Sequence, residues 1–254
     1  MTQLASEMVD VGGRSTEVIA EGSGPALVFL HGGGILEGFD CFAPLVERFR
    51  FVAPLMPGFG RSDLRPPIQS IDHLVSHTGA TLDALGIDSF VLVGHSLGGW
   101  VASAFAAAQP ERVTRLLVAA PYGLDTAEAP LANIQAMSRE ELYGSLTRDP
   151  AIFEGLVPDG DDEDFEAARA LEGQSMAGFV PGPFDPAHAG RLAKLEMPVA
   201  ILWGEDDKIV PVGNLPTWKA ALPSAETRVF PGVGHLLFHE HPLAVAAIAE
   251  FAGR

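Results

Sequence analysis

The pentapeptide Gly94-His95-Ser96-Leu97-Gly98 constrains this chain more than any other feature. It follows the apolar run Phe90-Val91-Leu92-Val93 and precedes a small-residue stretch from Gly99 to Ala108. The run before it reads as a buried strand and the stretch after it as a helix. A serine at such a strand-to-helix turn takes a strained backbone conformation. Glycines on both sides let strand and helix approach without a Cβ clash. The Ser96 Oγ then projects from the strand's C-terminal end, with helix N-terminal amides facing whatever oxygen it attacks.

The rest of the chain supplies a matching scaffold. Met8 to Val11 and Ser15 to Ala20 flank Gly12-Gly13 as an opening hairpin. A buried strand is expected at Ala26 to Leu30, and further strands at Phe51 to Ala53, Ser89 to Val93, Thr114 to Ala119, Val199 to Trp203 and Thr227 to Phe230. Between them stand a short helix at Phe42 to Phe49, a helix carrying Ile71, Leu74, Val75, Thr78, Leu82 and Leu85, one at Leu215 to Leu222, and a last one at Leu243 to Phe251. Alternating strands and helices imply a parallel sheet covered on both faces. The rhythm breaks at Pro121-Tyr122-Gly123 and resumes near Gly190. An insertion of roughly 70 residues needs structure of its own, so residues 122–190 are expected to form a helical cap. Residues 1–121 and 191–254 are expected to form the core.

Four further motifs stand in order around the pentapeptide. They are His31-Gly32-Gly33-Gly34, Pro57-Gly58-Phe59-Gly60-Arg61-Ser62, the segment Trp203 to Pro211, and Gly232-Val233-Gly234-His235. With these the chain resembles the α/β-hydrolase superfamily over nearly all its length. The resemblance implies a mostly parallel, about eight-stranded sheet with helices on both faces. It also implies a nucleophile, acid and histidine in the chain order Ser, Asp, His.

Serine at its ordinary pKa is a poor nucleophile and needs a base within hydrogen-bond reach. Among eight histidines, His235 follows a strand and a small-residue loop that can return to the turn. His95 is expected to point away and pack, and His239 and His241 to be structural. A carboxylate must fix the imidazole tautomer. Asp207, at the end of a buried strand, matches the family's acid position, with Asp206 and Asp125 as alternatives. For the oxyanion, the backbone N–H groups of Leu97 and Gly33 are the candidates, with Gly34 as the alternative to Gly33.

Other patterns have plainer explanations. His73 with His77, and His235 with His239, are each four apart, but neither pair has the glutamate or cysteine of a metal motif. No metal or organic cofactor is therefore implied. Cys41 reads as a small buried apolar residue, and as the only cysteine it cannot form an intrachain disulfide, which fits a reducing cytoplasm. The formal charge of −17 argues against nucleic acid and anionic membrane surfaces as partners. Met1 to Asp10 has neither the basic region nor the apolar run of a signal peptide or membrane anchor. The composition leaves a homodimer open.

The function expected is hydrolysis of small, uncharged carboxylic esters by a serine enzyme through an acyl-enzyme. The acidic run from Glu154 to Glu166 reads as a solvated loop that would repel anions if it faced the site. Apolar residues such as Leu131, Ile134, Met137, Leu142, Leu146, Ile152, Phe153, Leu156, Met176 and Phe179 would pack the cap and line a pocket. The chain is also similar to carbon–carbon hydrolases of ring-cleavage products. Those enzymes carry methionine after the nucleophile and tryptophan after the histidine, where this chain has Leu97 and Leu236. Their anionic substrates would need one of Arg139, Arg148, Arg169 or Arg191 near the serine. A cofactor-free perhydrolase and a ligand receptor with slow turnover are the remaining alternatives.

Overall fold

The computed structural model describes residues 4–35, 38–124, 126–157, 163–177 and 186–254. The first strands are β1 (Ser6–Asp10), β2 (Ser15–Glu21), β3 (Ala26–Leu30) and β4 (Arg50–Pro54). Next come α1 (Ile71–Ala84), β5 (Phe90–His95), α2 (Leu97–Ala108) and β6 (Val113–Ala119). Four helices follow, α3 (Arg139–Leu146), α4 (Pro150–Glu154), α5 (Glu163–Met176) and α6 (Pro186–Leu192). The chain closes with β7 (Val199–Gly204), α7 (Leu215–Ala221), β8 (Glu226–Phe230), α8 (Leu237–Glu240) and α9 (Pro242–Ala252).

These strands form one eight-stranded sheet in the order β1-β2-β4-β3-β5-β6-β7-β8. Only the β1–β2 and β2–β4 pairings are antiparallel, which is the opening hairpin laid against a parallel sheet. Side chains alternate across the pleat. Val28, Leu92, Val118 and Ile201 point to one face, where they meet Val101 and Phe105 of α2 and Trp218 of α7. Phe29, Val93, Leu117 and Leu202 point to the other, against Phe42, Phe238, Ile248 and Phe251. The short helix expected at Phe42 to Phe49 is instead a 3-10 turn, Asp40–Leu45, with Pro44 inside it. A proline there removes the N–H that a longer α-helix would use.

Strand order decides which loops meet. β5 lies between β3 and β6, with Leu30 paired to Gly94 and His95 to Ala119. The loop after β3 therefore leaves the sheet beside Ser96, and β7 lies one strand beyond β6. This C-terminal edge is where open α/β sheets bind ligands. Between β6 and β7 the described residues hold helices and an isolated bridge, Thr126 to Ala129, but no strand.

Candidate active site

Ser96 occupies the turn between β5 and α2 with φ 54° and ψ −119°. A side chain pays conformational strain to sit there, so the surroundings must impose it. They do so through hydrogen bonds. The Ser96 N–H donates to the Ala119 carbonyl (2.9 Å), and the Ser96 carbonyl accepts from Gly99 (2.9 Å) and Tyr122 (3.1 Å). A Cβ on Gly98 would lie 2.0 Å from the Leu30 carbonyl oxygen, and one on Gly94 would lie 2.2 Å from that of Gly98. Only glycine fits either place. Leu97 begins α2, so its N–H belongs to the unpaired first turn of the helix.

Asp207 and His235 come from the loops after β7 and β8. The ends of these strands close together because Gly204 has no side chain; a Cβ on it would stand 2.2 Å from the Gly234 carbonyl oxygen. The buried Asp207 carboxylate accepts from the Ile209 and Val210 N–H groups through Oδ1, each at 2.8 Å. Its Oδ2 lies 2.8 Å from His235 Nδ1. Trp203 Nε1 donates to the Val210 carbonyl (2.8 Å) and ties the loop back to β7. The neighbouring Asp206 instead faces Arg148 at 3.3 Å. Asp125, the other alternative, lies outside the described residues.

His95 does more than pack. Its Nε2 is 2.9 Å from the His235 backbone carbonyl, and the two rings are 4.7 Å apart. Burial, with the His235 ring close by, holds the His95 pKa well below that of a free histidine, so the neutral ring donates to this carbonyl. Sequence order alone had no means of showing that contact, because it spans 140 residues.

The loop after β3 is fixed by His31. Its Nε2 accepts from the Met56 N–H (3.0 Å) while Nδ1 lies 2.7 Å from the Gly32 carbonyl, a pairing that requires the proton on Nδ1. Burial pushes its pKa down to about 4, which keeps the ring neutral. Gly32 passes over the serine, at a distance where a Cβ would be 3.4 Å from Ser96 Cβ. Gly33 and Gly34 follow on the same cavity wall.

Ser96, Leu97, His235 and Gly33 line one cavity of about 430 Å³. Its outer wall is mainly apolar, with Leu131, Ile134, Leu142, Leu146, Phe153 and Met176. Met137, Ile152 and Leu156 are not part of it, and Phe179 lies outside the described residues. Of the arginines proposed from sequence, Arg169 reaches the cavity, whereas Arg139 pairs with Glu166 at 2.6 Å and Arg148 with Asp206. Arg169 is itself 3.3 Å from Glu166. Glu172 also lines the cavity, and sequence reasoning passed over it. Its only signal is placement, three residues after Arg169 and four before Met176, on the same side of a helix.

The remaining candidates have local partners. Cys41 Sγ lies 3.4 Å from His239 Nε2, which is also 3.2 Å from the Gly38 carbonyl, and neither side chain lines the cavity. His77 Nε2 is 3.4 Å from the Leu55 carbonyl, so it faces the protein, not the solvent. Among the described residues, no group of three or more His, Cys, Asp or Glu is arranged to hold a metal ion. Nor is any helix among them long and apolar enough to cross a membrane.

Comparison with known proteins agrees with this fold. A 2-hydroxy-6-oxononadienedioate/2-hydroxy-6-oxononatrienedioate hydrolase of Burkholderia vietnamiensis is 32% identical over 243 residues, covering 85% of this chain and 82% of the relative. The 2-hydroxy-6-oxo-6-phenylhexa-2,4-dienoate hydrolase of Rhodococcus sp. strain RHA1 superposes with a TM-score of 0.78 at 23% identity, covering 98% of each chain. Naproxen esterase from Bacillus subtilis superposes with a TM-score of 0.77 at 20% identity, over 98% of this chain and 90% of the esterase. Residues 27–248 match the model of the alpha/beta hydrolase family. With the sheet order, the glycine-seated serine turn and this match in agreement, the chain belongs to the alpha/beta hydrolase family.

Proposed function

We propose that this hydrolase cleaves small, uncharged carboxylic esters with Ser96 as nucleophile, His235 as base and Asp207 as the acid that orients it. The observation that carries the reading is the 2.8 Å Asp207–His235 contact beside the cavity that Ser96 lines. With Nδ1 turned to Asp207, Nε2 is the nitrogen left to take the Ser96 proton. Ser96 Oγ attacks the carbonyl carbon, and the Leu97 and Gly33 N–H groups receive the oxyanion. The alcohol leaves with the proton from His235. Water, deprotonated by the same ring, then releases the acid and restores the serine. Residues 122–190 act as a cap over this chemistry, which requires neither metal nor organic cofactor.

Arg169 supports a second reading, cleavage of a carbon–carbon bond in an anionic ring-cleavage product. Named relatives act on such compounds, and Arg169 stands in the cavity wall. Against it, Glu166 and Glu172 offset that charge. Fluorophosphonate labelling tests whether Ser96 is activated. Steady-state turnover of p-nitrophenyl esters of several acyl lengths, beside a vinylogous diketone, then separates the readings. Ester turnover that is lost when Ser96 is labelled is expected. Exclusive turnover of the diketone favours the second reading, and labelling without turnover of either substrate favours a receptor.

A further inference from the structure

The loop that carries His235 is tied to the insertion between β6 and β7 by hydrogen bonds on both sides of the histidine. After it, the Leu236 N–H donates to the Leu146 carbonyl at 2.9 Å. Before it, the tie runs through Glu240 of α8. Its Oε1 accepts the Gly234 N–H at 2.8 Å, and its Oε2 accepts the Arg148 N–H at 2.9 Å. Gly234 permits this approach, because a Cβ there would stand 2.7 Å from the Arg148 nitrogen and 2.8 Å from Glu240 Oε1. The segment from Leu146 to Arg148, which joins α3 to α4, therefore lies directly on the histidine loop.

A carboxylate suits this junction for a chemical reason. Two backbone N–H groups converge on it, one from the histidine loop and one from the insertion. An ionised carboxyl offers two oxygens that both accept. A glutamine there must turn its NH2 toward one of the two donors, and an alanine leaves both without this acceptor.

We propose that Glu240 is a positioning residue for His235: its carboxylate clamps the histidine loop to the insertion and so keeps the imidazole within reach of Ser96. The kinetic side of this inference rests on the ester-hydrolysis reading. The clamp itself does not. His95 at the His235 carbonyl and Asp207 at Nδ1 hold the histidine from the sheet side, and Glu240 supplies the hold from the insertion. A base acts only when its nitrogen is aligned with the proton it takes, and a misplacement of about 1 Å can cost on the order of 10²-fold. The loss falls on kcat, since the proton moves in the transition state and not in bound ester.

The test compares Glu240→Ala and Glu240→Gln with the wild type, using p-nitrophenyl acetate kinetics and hydrogen exchange followed by mass spectrometry. Exchange is read in segment 145–150 of the insertion, in segment 231–237 around the histidine, and in β5 as a reference. Glu240→Ala is expected to lower kcat by about 10- to 100-fold with KM within about threefold. Exchange should quicken in 145–150 and 231–237 together and stay unchanged in β5. Glu240→Gln, left with one accepting oxygen, is expected to lose at least about threefold in kcat and no more than alanine does. A glutamine variant equal to the wild type overturns the two-oxygen clamp. So does faster exchange in 231–237 alone, which marks a role confined to the loop, or a loss that sits in KM. Should the alanine variant fail to fold, the glutamine variant is held to the same exchange criteria. If the wild type turns over no ester, the hydrolysis reading fails, and the exchange comparison alone decides the clamp.

Discussion

Asp206 and Asp207 are consecutive, yet their carboxylates serve opposite sides of one loop. Asp207 is buried and meets His235 Nδ1 at 2.8 Å, while Asp206 is half-exposed and meets Arg148 at 3.3 Å. The expected consequence is a sharp asymmetry. Asp207→Asn should preserve the packing, favour the wrong imidazole tautomer and lower kcat by about 10⁴-fold. Asp206→Asn removes a surface ion pair worth at most about 1 kcal/mol and should leave kcat within about threefold. Ester kinetics on the two purified variants decide between them; an intact Asp207→Asn enzyme would remove Asp207 from the mechanism.

Ser96→Ala should reduce ester turnover by about 10⁶-fold, to a residue set by the oxyanion donors and binding alone. Fluorophosphonate labelling should vanish with it. The melting temperature should not fall, because alanine at the turn removes only a hydroxyl. More than a tenth of wild-type activity in this variant would rule out Ser96 as nucleophile.

Gly98→Ala probes the seat of the serine. The added Cβ would be 2.0 Å from the Leu30 carbonyl oxygen and 2.4 Å from that of His31, both backbone atoms that cannot rotate away. A forced shift of β3 against α2 should destabilise the fold by more than about 3 kcal/mol. Urea unfolding measures it. An alanine variant of wild-type stability would show that the turn has room the structure does not.

Stability should also respond to pH through Glu172. Its pKa is raised from 4.5 to about 7, so the native state binds more protons than the unfolded state between these values. Its contribution is fully present below pH 4.5 and is lost as pH rises through 7. Integrated, the loss approaches about 3 kcal/mol as an upper bound. Glu172→Gln does not ionise and should be more stable than wild type at pH 8.5 by more than it is at pH 5. Denaturant titrations at the two pH values give the comparison, and equal differences would contradict it.

Substrate charge offers a test of the cavity. A neutral short- or medium-chain ester should exceed its ω-carboxylate analogue by at least about tenfold in kcat/KM, a 1.4 kcal/mol difference that an unpaired buried carboxylate readily exceeds. A preference that shrinks with added salt would trace to long-range repulsion. Preference for the carboxylate would place Arg169 in substrate binding and favour the carbon–carbon reading.

Most of the sheet was legible because its strands are short apolar runs bounded by glycine, proline and polar residues. β3 occupies the segment expected of it, and β7 extends it by one residue. Ser96, His235 and Asp207 stood out because their turns need glycine at fixed offsets. What sequence left open depended on side-chain direction. Asp206 and Asp207 differ in no local property, and only the turn after β7 sends one inward. Choosing Arg169 among four arginines required the orientation of α5, and so did noticing Glu172. His95 illustrates the same limit, since its partner is a backbone carbonyl on the far side of the chain.

The glycines at 94, 98 and 204 are hemmed in by backbone, while Leu131, Ile134, Leu142 and Phe153 face open space in the cavity wall. Diversification therefore has a permitted direction. A library spread over those wall positions would sample new substrate shapes with the reacting atoms left on their original footing, and re-engineering of this enzyme should begin there.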